Sequence, residues 1–344
     1  MKVSIKNLGP IKEADIRIND LTIIAGGNNT GKTYITYAIY GLLKEFENIY
    51  PYAEEFASER EELIEKGSLT IPAQQLTGIQ AEFIKRISEK FSADIHNIFS
   101  AGKDQFSNTK ILIDDYKEWA DANWLQHPFK FDFESCIITI KHGENGEIIF
   151  SFVSTNRNKN ISKTYVNAYL YFILLKTICP DPFILPAERQ AISLFYKELD
   201  INKNFLVEQL QKVPDARDNF DTFQFIEKHT ARYALPIKDN IFFTRDIDNI
   251  RKKESPLLNI CDKIENMLGG YFEQADKEVR FISKVRKKEQ FNIPLYLAST
   301  SARGFADLYF YLKHKASKGD ILMIDEPESH LHPANQILMA RLLA

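Results

Sequence analysis

The chain has 344 residues and a formal net charge of −3, with 44% hydrophobic and 26% charged residues. Its length and composition are those of an ordinary globular protein with a large core and one or two domains. It has no global excess of basic residues, which excludes nucleic-acid binding through overall charge and leaves only a local basic patch for such a contact.

The N-terminus and the cysteines indicate the cellular compartment. The sequence MKVSIKNLGP has no apolar signal region, and no later apolar run approaches the length of a membrane span. Cys136, Cys179 and Cys261 lie far apart without metal-type spacing, so we expect buried, reduced thiols rather than disulfides or a zinc site. Both features predict a cytoplasmic protein without membrane contact.

The N-terminal segment predicts three short strands and a helix. Residues 3–8 and 13–18 alternate apolar and polar side chains on either side of a Gly-Pro turn, which favours an antiparallel pair. Residues 21–25, LTIIA, do not alternate, so both faces of this strand should be buried in a central sheet. Apolar side chains then recur at helical spacing from Lys32 to Phe46.

The middle of the chain combines helical segments with a hairpin. Residues from about 47 to 130 are rich in Glu, Lys, Gln and Ala with helical periods, which predicts a first helical insertion. Residues 136–143 and 146–153 flank a Gly-Glu-Asn-Gly turn and predict a hairpin. A helix is expected over 163–179, and a short strand follows in 183–189.

The last third alternates helices and strands. Residues from about 195 to 285 predict a second helical insertion with mixed charge. A strand is expected in 293–299, a helix over 301–319, and an all-apolar strand, DILMID, at 320–325. The final residues, 333–344, begin another helix.

A glycine-rich loop between a predicted strand and a predicted helix matches the phosphate-binding pattern G-x-x-x-x-G-K-[ST]. It consists of Gly26, Gly27, Asn28, Asn29, Thr30, Gly31, Lys32 and Thr33. Position 34 does not continue the set with a further threonine, because the residue there is Tyr34. The candidate ATP-binding residues of the loop therefore end at Thr33.

The chemistry of this loop suits a nucleotide. Glycines let the backbone wrap closely around phosphates, and the loop amides and the helix N-terminus point at the anion. Lys32 should reach the β and γ phosphates, and Thr33 should offer its hydroxyl to magnesium. The loop therefore predicts binding of ATP with Mg²⁺.

The supporting motif is ILMIDEPESHLHP, residues 321–333. An apolar strand that ends in Asp325 and Glu326 places both carboxylates at the edge of the sheet where α/β proteins bind ligands. If this strand neighbours the strand before the phosphate loop, Asp325 holds the magnesium and Glu326 polarises the attacking water as general base. His330 and His332 have no third ligand nearby in sequence, so we do not expect a transition-metal site.

Three stretches carry a family resemblance: VSIKNLGPIKEADI, GGNNTGKT and IDEPESHLHP. Together they resemble the ABC-type ATPases of the SMC, RecF and OLD (overcoming lysogenization defect) group, and most of all the OLD-like branch. The resemblance covers residues 1–46 and 290–344 and also FILPAERQAI, residues 183–192. It implies an α/β fold in which 1–344 form a single ABC-type P-loop NTPase head. That head would have N-terminal antiparallel strands, a central, mostly parallel sheet and the two helical insertions.

The resemblance also implies a homodimer or higher homo-oligomer that holds ATP between two copies. The helix start that would face the partner's γ-phosphate carries Ser299, Thr300, Ser301 and Arg303. The alternative for this position is a simple helix cap. Ser329 and His330 correspond to a loop that crosses the dimer interface. Gln190, beside Glu188 and Arg189, is the candidate for the polar residue that senses magnesium.

One family element is not found in the chain. ABC-type heads carry a switch histidine after the strand that follows the Asp-Glu strand, and His330 and His332 come too early for that role. The chain ends within the helix that leads to this strand. We therefore expect either a fragment or a protein that lacks the element, in which ATP hydrolysis is weak or incomplete.

The sequence thus predicts an ATP-binding and ATP-hydrolysing head. By resemblance, it switches a nuclease or toxin partner in anti-phage defence. One alternative is a DNA-repair or chromosome-maintenance ATPase of the RecF or SMC kind, with DNA bound across the dimer through basic runs at 251–253 and 284–288. Another is a scaffold that binds ATP without hydrolysing it.

Overall fold

The computed structural model of the chain describes residues 1–46, 57–115, 129–133, 136–143, 147–154, 180–196, 233–250, 253–275, 278–284 and 291–344. They belong to two compact units. The first unit comprises Met1–Ile95 and Lys103–Pro182, and the second comprises His96–Gly102 and Phe183–Ala344. Within the described residues, no helix combines the length and the apolar character needed to cross a bilayer.

The first unit begins with an antiparallel sheet. Strand β1 (Lys2–Leu8) pairs with β2 (Ile11–Arg17), so the predicted N-terminal pair is confirmed. The other edge of β1 pairs with the later strand β4 (Lys110–Asp115), which gives the order β2-β1-β4. Val3 and Ile5, two residues apart in β1, are fully buried, because period-2 alternation directs one face of the strand to the core.

Residues 21–25 differ from the predicted buried strand. No described strand pairs with them, and the Leu21 and Ile23 side chains are 47% and 78% exposed. An apolar strand in the centre of a sheet needs neighbouring strands on both edges, and none of the described strands provides one here. The three larger sheets of the described residues are antiparallel. The expected central, mostly parallel sheet is not among these three sheets and stays a prediction.

The rest of the first unit combines helices with a second sheet. Helix α1 (Lys32–Glu45) is the predicted one, and it contacts β1 and helix α3 (Ala73–Asp94), which in turn lies against β4. Helix α2 (Ala57–Lys66) leads into strand β3 (Ser68–Ile71). The first insertion is therefore not wholly helical, since it also contributes the strands β3 and β4. Strand β4 pairs with β1, and β3 pairs with residues 148–151, so both partners lie far away in sequence.

The predicted hairpin is confirmed as part of a four-stranded antiparallel sheet. Strand β6 (Cys136–His142) pairs with β7 (Ile148–Ser154). Strand β5 (Phe129–Phe133) and β3 complete the order β3-β7-β6-β5. The helix predicted over 163–179 lies outside the described residues.

The second unit opens with strand β8 (Pro182–Leu185), as predicted, and residues 189–196 are helical. After the segment 197–232, which is outside the described residues, come two helices and two strands. These are α4 (Leu235–Asp246), α5 (Leu258–Leu268), β9 (Gly270–Ala275) and β10 (Glu278–Ser283). The second insertion is thus also not wholly helical.

The C-terminal elements follow the prediction closely. Strand β11 (Phe291–Pro294) pairs with β10 and passes into a 3-10 turn, so only the start of the strand expected at 293–299 is extended. Helix α6 (Thr300–His314), strand β12 (Ile321–Ile324) and helix α7 (Pro333–Leu343) are present. Strands β12 and β8 are hydrogen-bonded neighbours in a separate two-stranded sheet.

Helix α6 forms the centre of the second unit's core. Every residue from Gly304 to Leu312 is buried, as expected for a helix that is largely apolar all round. The Tyr311 ring stacks on Phe183 of β8 with centroids 3.8 Å apart. Cys261 of α5 is a buried free thiol, as predicted, whereas Cys179 and the side chain of Cys136 lie outside the described part of the chain.

Candidate nucleotide-binding site

The phosphate loop, Gly26–Gly31, folds tightly against the first turn of α1 in the first unit. Asn29 and Gly31 have positive φ angles of 61° and 95°, and Gly31 is the N-cap residue of the helix. Inside the loop, the Thr30 hydroxyl donates to the Gly27 carbonyl at 2.9 Å. The loop thereby presents its backbone at a helix N-terminus, the arrangement that binds phosphate.

Lys32 closes this loop with its side chain. Its ammonium group donates to the carbonyl oxygens of Gly26 at 2.9 Å and Gly27 at 2.8 Å. An ammonium group has three N–H donors, so one is left for an anion while the other two hold the loop. Thr33 follows at the exposed start of α1. These residues fit a triphosphate, and the Thr33 hydroxyl is of the oxygen type that magnesium prefers.

Position 34, directly after Thr33, carries Tyr34 and so adds no further threonine hydroxyl to the loop. The Tyr34 side chain is 37% exposed. A Cβ atom on Gly9 would lie 2.8 Å from Cε1 of Tyr34, so the ring packs against the turn between β1 and β2. Its centroid is 6.4 Å from that of the Phe106 ring. Residue 34 thus has a packing role in the first unit, and Thr33 is the last residue of the candidate loop.

Gly31 has a steric as well as a conformational reason to be glycine. A Cβ atom there would lie 2.8 Å from Cγ1 of Ile11 and 3.0 Å from Cγ of Pro10. Both neighbours belong to the β1–β2 turn region, so the phosphate loop packs directly onto the N-terminal sheet. The sequence motif requires this glycine, but only the packing shows which residues exclude a side chain.

The Asp-Glu turn lies at the end of β12 in the second unit. The Asp325 amide donates to the Leu185 carbonyl at 2.9 Å, which ties the turn to β8. Glu326 has a φ of 49°, an unusual conformation for a non-glycine residue. Its exposed carboxylate accepts at Oε2 from the Ser329 hydroxyl at 2.8 Å. One oxygen of the candidate general base is therefore held within the turn.

Arg189 lies beneath this turn and is only 2% exposed. Nη1 donates to the carbonyl oxygens of Pro186 at 3.1 Å and Asp325 at 2.7 Å, and Nη2 donates to that of Glu326 at 2.9 Å. Burial lowers the pKa of the Arg189 guanidinium, while the negative charges of Asp325 and Glu326 act in the opposite direction. Hydrogen bonds to distant carbonyls leave no sequence motif, so local sequence marks Arg189 only as a neighbour of Gln190.

Gln190 and Glu188 flank this arginine. A Cβ atom on Gly304 of α6 would lie 3.2 Å from Cγ of Gln190, so the half-buried Gln190 side chain packs against that helix. Glu188 is exposed. The role of Gln190 in sensing magnesium stays a prediction.

The candidate signature residues have partners within their own unit. Ser299 is the N-cap of α6 and accepts from the Ala302 amide at 3.2 Å. This contact is the one expected if the position is a simple helix cap. The Ser301 hydroxyl donates to the His330 carbonyl at 2.6 Å. Arg303 donates to the Ala298 carbonyl at 2.7 Å. Contacts of these residues with a partner's phosphate stay predictions.

The loop after the Asp-Glu turn is joined to the start of α6 by the Ser301–His330 hydrogen bond. His330 is exposed and has a φ of 61°. His332 is the N-cap of α7, where Nδ1 accepts from the Ala334 amide at 3.3 Å. Among the described residues, no group of three or more His, Cys, Asp or Glu side chains is placed to hold a metal ion.

The candidate residues thus form two groups. The phosphate loop with Lys32 and Thr33 belongs to the first unit, while the second group belongs to the second unit. In the second group, hydrogen bonds join Arg189 to Asp325 and Glu326, Ser329 to Glu326, and, as a separate pair, Ser301 to His330. The convergence of the two groups on one nucleotide stays a prediction.

Comparison with known proteins gives the family. Searches of curated proteins and of solved structures give no match. A family model described as AAA ATPase domain matches residues 1–344. The match supports a P-loop ATPase, in agreement with the phosphate loop, while the finer resemblance to the OLD-like branch stays an expectation. With its whole length matched, the chain belongs to the AAA ATPase domain family.

Proposed function

We propose that this chain binds ATP with magnesium and hydrolyses it to ADP and phosphate. The observation that carries the proposal is the phosphate loop at the N-terminus of α1, with Gly31 at a φ of 95° and Lys32 held at the loop carbonyls. Such a loop leaves backbone amides and an ammonium group for an anion. Membership of the AAA ATPase domain family supports the same activity.

Each side chain has a specific role in the proposed reaction. The loop amides and Lys32 bind the phosphates, and Lys32 neutralises charge on the β and γ groups. Thr33 and Asp325 are the oxygen ligands for magnesium, which supplies charge neutralisation when bound. Glu326 accepts a proton from the attacking water as it bonds to the γ-phosphorus. The bond from that phosphorus to the bridging oxygen breaks, and ADP leaves.

We further propose that the chain works as a dimer that closes around ATP and opens after hydrolysis. In this arrangement the start of α6 and the loop from Ser329 to His332 face the partner subunit. The Ser301–His330 hydrogen bond supports the proposal because it makes these two segments one hydrogen-bonded surface. The switch controls a nuclease or toxin partner in anti-phage defence. This role of the chain rests on its resemblance to OLD-like ATPases.

ATP turnover at several protein concentrations, with magnesium, tests the activity and the dimer together. Turnover that rises faster than linearly with protein concentration supports a dimeric ATPase. Glu326→Gln should abolish turnover and retain ATP binding. The matched control is Glu328→Gln, which removes the same charge from an exposed position in the same turn and should leave turnover intact. Tight ATP binding without turnover would favour the scaffold alternative.

Binding of a fluorescent ATP analogue tests the phosphate loop separately. Lys32→Met should weaken binding by at least about tenfold, because it removes a charge that contacts phosphate. Lys12→Met removes an exposed lysine from β2 of the same unit and should bind normally. Equal affinity in wild type and Lys32→Met would contradict the assignment of this loop.

The proposed output is tested in the native host. A strain that carries Lys32→Met at the chromosomal locus should plate phage at higher efficiency than the wild-type strain. Unchanged plating across a phage panel would contradict the defence role. DNA binding by the purified protein with a steep salt dependence would instead favour the DNA-repair alternative.

A further inference from the structure

We propose that Arg189 is a positioning residue, whose guanidinium fixes the backbone of the Asp325–Glu326 turn and thereby aims the Glu326 carboxylate. The inference rests on the proposed function, in which Glu326 is the general base. It assigns to a buried arginine a task that neither the phosphate-loop motif nor the Asp-Glu motif contains.

The first support is the way one guanidinium joins two segments. Its three hydrogen bonds reach the carbonyls of Pro186, directly after β8, and of Asp325 and Glu326, directly after β12. The planar guanidinium has several N–H donors in a rigid arrangement, so it fixes the relative orientation of the carbonyls it contacts. A lysine in its place offers one nitrogen and no such plane.

The second support is the backbone conformation of Glu326. A left-handed φ at a non-glycine residue is strained and persists only where the surroundings impose it. The Glu326 carbonyl accepts from both Arg189 Nη2 at 2.9 Å and the Ser329 amide at 3.1 Å. These two donors orient the peptide that follows Glu326. Because Arg189 also donates to the Asp325 carbonyl at 2.7 Å, it contacts the peptides on both sides of Glu326 and so helps to hold this residue at its φ of 49°.

The third support is that Arg189 is itself held in place. The Ser193 hydroxyl, one helical turn later, contacts the carbonyls of Arg189 at 3.0 Å and Arg303 at 3.2 Å. The helical residues 189–196 are therefore attached to α6. Gly304 of α6 brings the two helices close, since a Cβ there would lie 3.7 Å from Nε of Arg189. The backbone that carries the guanidinium is therefore held in place relative to α6.

The test uses Arg189→Lys, which keeps the charge and loses the guanidinium plane, and Arg189→Met, which loses both. The matched control is Ser255→Ala. Ser255 is a buried hydroxyl of the same unit that donates to the Ala316 carbonyl at 2.7 Å and does not contact the turn. Each variant is measured for ATP-analogue affinity, kcat, KM, thermal stability and hydrogen exchange of the segment 325–330.

The positioning role predicts a specific pattern. Arg189→Lys should lower kcat by roughly 10- to 100-fold, because small misplacements of a catalytic group have effects of that size. Its KM and its ATP-analogue affinity should stay within about twofold of wild type, since the phosphate loop is unchanged. Exchange in 325–330 should become faster. Ser255→Ala should lose thermal stability and keep both kcat and slow exchange in this segment.

Two results would overturn the proposal. The first is a kcat of Arg189→Lys equal to that of the wild type. The second is a fall in kcat that, relative to the loss of thermal stability, is the same in Arg189→Lys and Ser255→Ala, because kcat would then only follow stability. If Arg189→Met fails to fold, the kcat of Arg189→Lys still decides whether Arg189 positions the turn. If the wild-type protein shows no turnover, the proposed function fails, and exchange in 325–330 decides whether Arg189 holds the turn. Unchanged exchange in Arg189→Lys then overturns the inference.

Discussion

The Ser329 hydroxyl donates to Oε2 of Glu326 at 2.8 Å, across a turn in which Glu326 has a φ of 49°. The same two residues are joined a second time, because the Ser329 amide donates to the Glu326 carbonyl at 3.1 Å. The residue expected to activate water is therefore oriented by its own turn. Ser329, expected from the family resemblance to face a partner subunit, has a clear contact within its own chain.

Removal of the Ser329 hydroxyl should reduce turnover without affecting nucleotide affinity. We expect Ser329→Ala to lower kcat about fivefold, equivalent to about 1 kcal/mol for one hydrogen bond that orients a carboxylate. Ser329→Thr keeps a hydroxyl at the same position and should retain most of the activity. Steady-state ATP hydrolysis measures both variants, and a higher kcat in Ser329→Ala would show that the hydroxyl restrains Glu326.

Gly31 and Gly78 should respond in opposite ways to alanine. At Gly31 the positive φ of 95° and the 2.8 Å approach to Ile11 both oppose a side chain, so Gly31→Ala should lower the free energy of unfolding by roughly 2 kcal/mol. Gly78 lies within α3, and a Cβ there meets nothing within 4 Å. Gly78→Ala should therefore raise stability by about 1 kcal/mol.

Urea unfolding of the two alanine variants measures this difference, and ATP-analogue binding gives a second readout. Gly31→Ala should also weaken binding, because the loop changes shape, whereas Gly78→Ala should bind like wild type. Equal stability of the two variants would contradict the conformation described for the phosphate loop.

The buried Asp307 should make stability depend on pH. It is 1% exposed, and its Oδ2 accepts from Asn240 at 3.0 Å and Thr244 at 2.9 Å. Burial raises the pKa of Asp307 from 3.8 to about 6, against the opposing effects of these hydrogen bonds and of the Arg189 charge. The folded state thus binds the proton more tightly than the unfolded state does. This contribution to stability is complete below pH 4 and is lost as the pH rises through 6.

Asp307→Asn isolates this effect, because asparagine has a similar shape and stays neutral. Between pH 4 and pH 7 the free energy of unfolding of the wild type should fall by roughly 2 kcal/mol relative to the variant. Urea unfolding at several pH values measures the difference, in which contributions of other carboxylates cancel. A constant difference across this range would mean that Asp307 titrates near its ordinary pKa.

Cys261 should resist alkylation in the folded protein. The thiol is 2% exposed and contacts the Tyr309 carbonyl, and burial raises its pKa to about 11. Because the thiolate is the reactive form, both access and ionisation are suppressed at pH 8. Iodoacetamide treatment followed by peptide mass spectrometry should show Cys261 labelled in urea but protected in buffer. Rapid labelling without denaturant would contradict its burial in the core.

Local patterns in the chain were enough to predict several elements. The antiparallel pair β1–β2, the hairpin β6–β7 and the helix that follows the phosphate loop depend on neighbouring residues, through alternation, turns and helical spacing. Strands β3 and β4 escaped prediction because their ladders pair residues that are far apart in sequence. For the same reason the expected burial of residues 21–25 was wrong, since an apolar run cannot specify its own ladder partners.

The sequence by itself determined the phosphate-loop motif, the Asp-Glu motif and the assignment to the P-loop ATPases, because each depends on residue types at fixed short spacing. Only the tertiary structure decided what the side chains touch. In it, Arg189 donates to the carbonyls of Asp325 and Glu326. Ser301 donates to the His330 carbonyl, and Ser299 caps its own helix. The contacts of Arg189 and Ser301 join residues that are 29 to 137 positions apart. Such contacts depend on packing between elements, and short-range sequence patterns do not encode that packing.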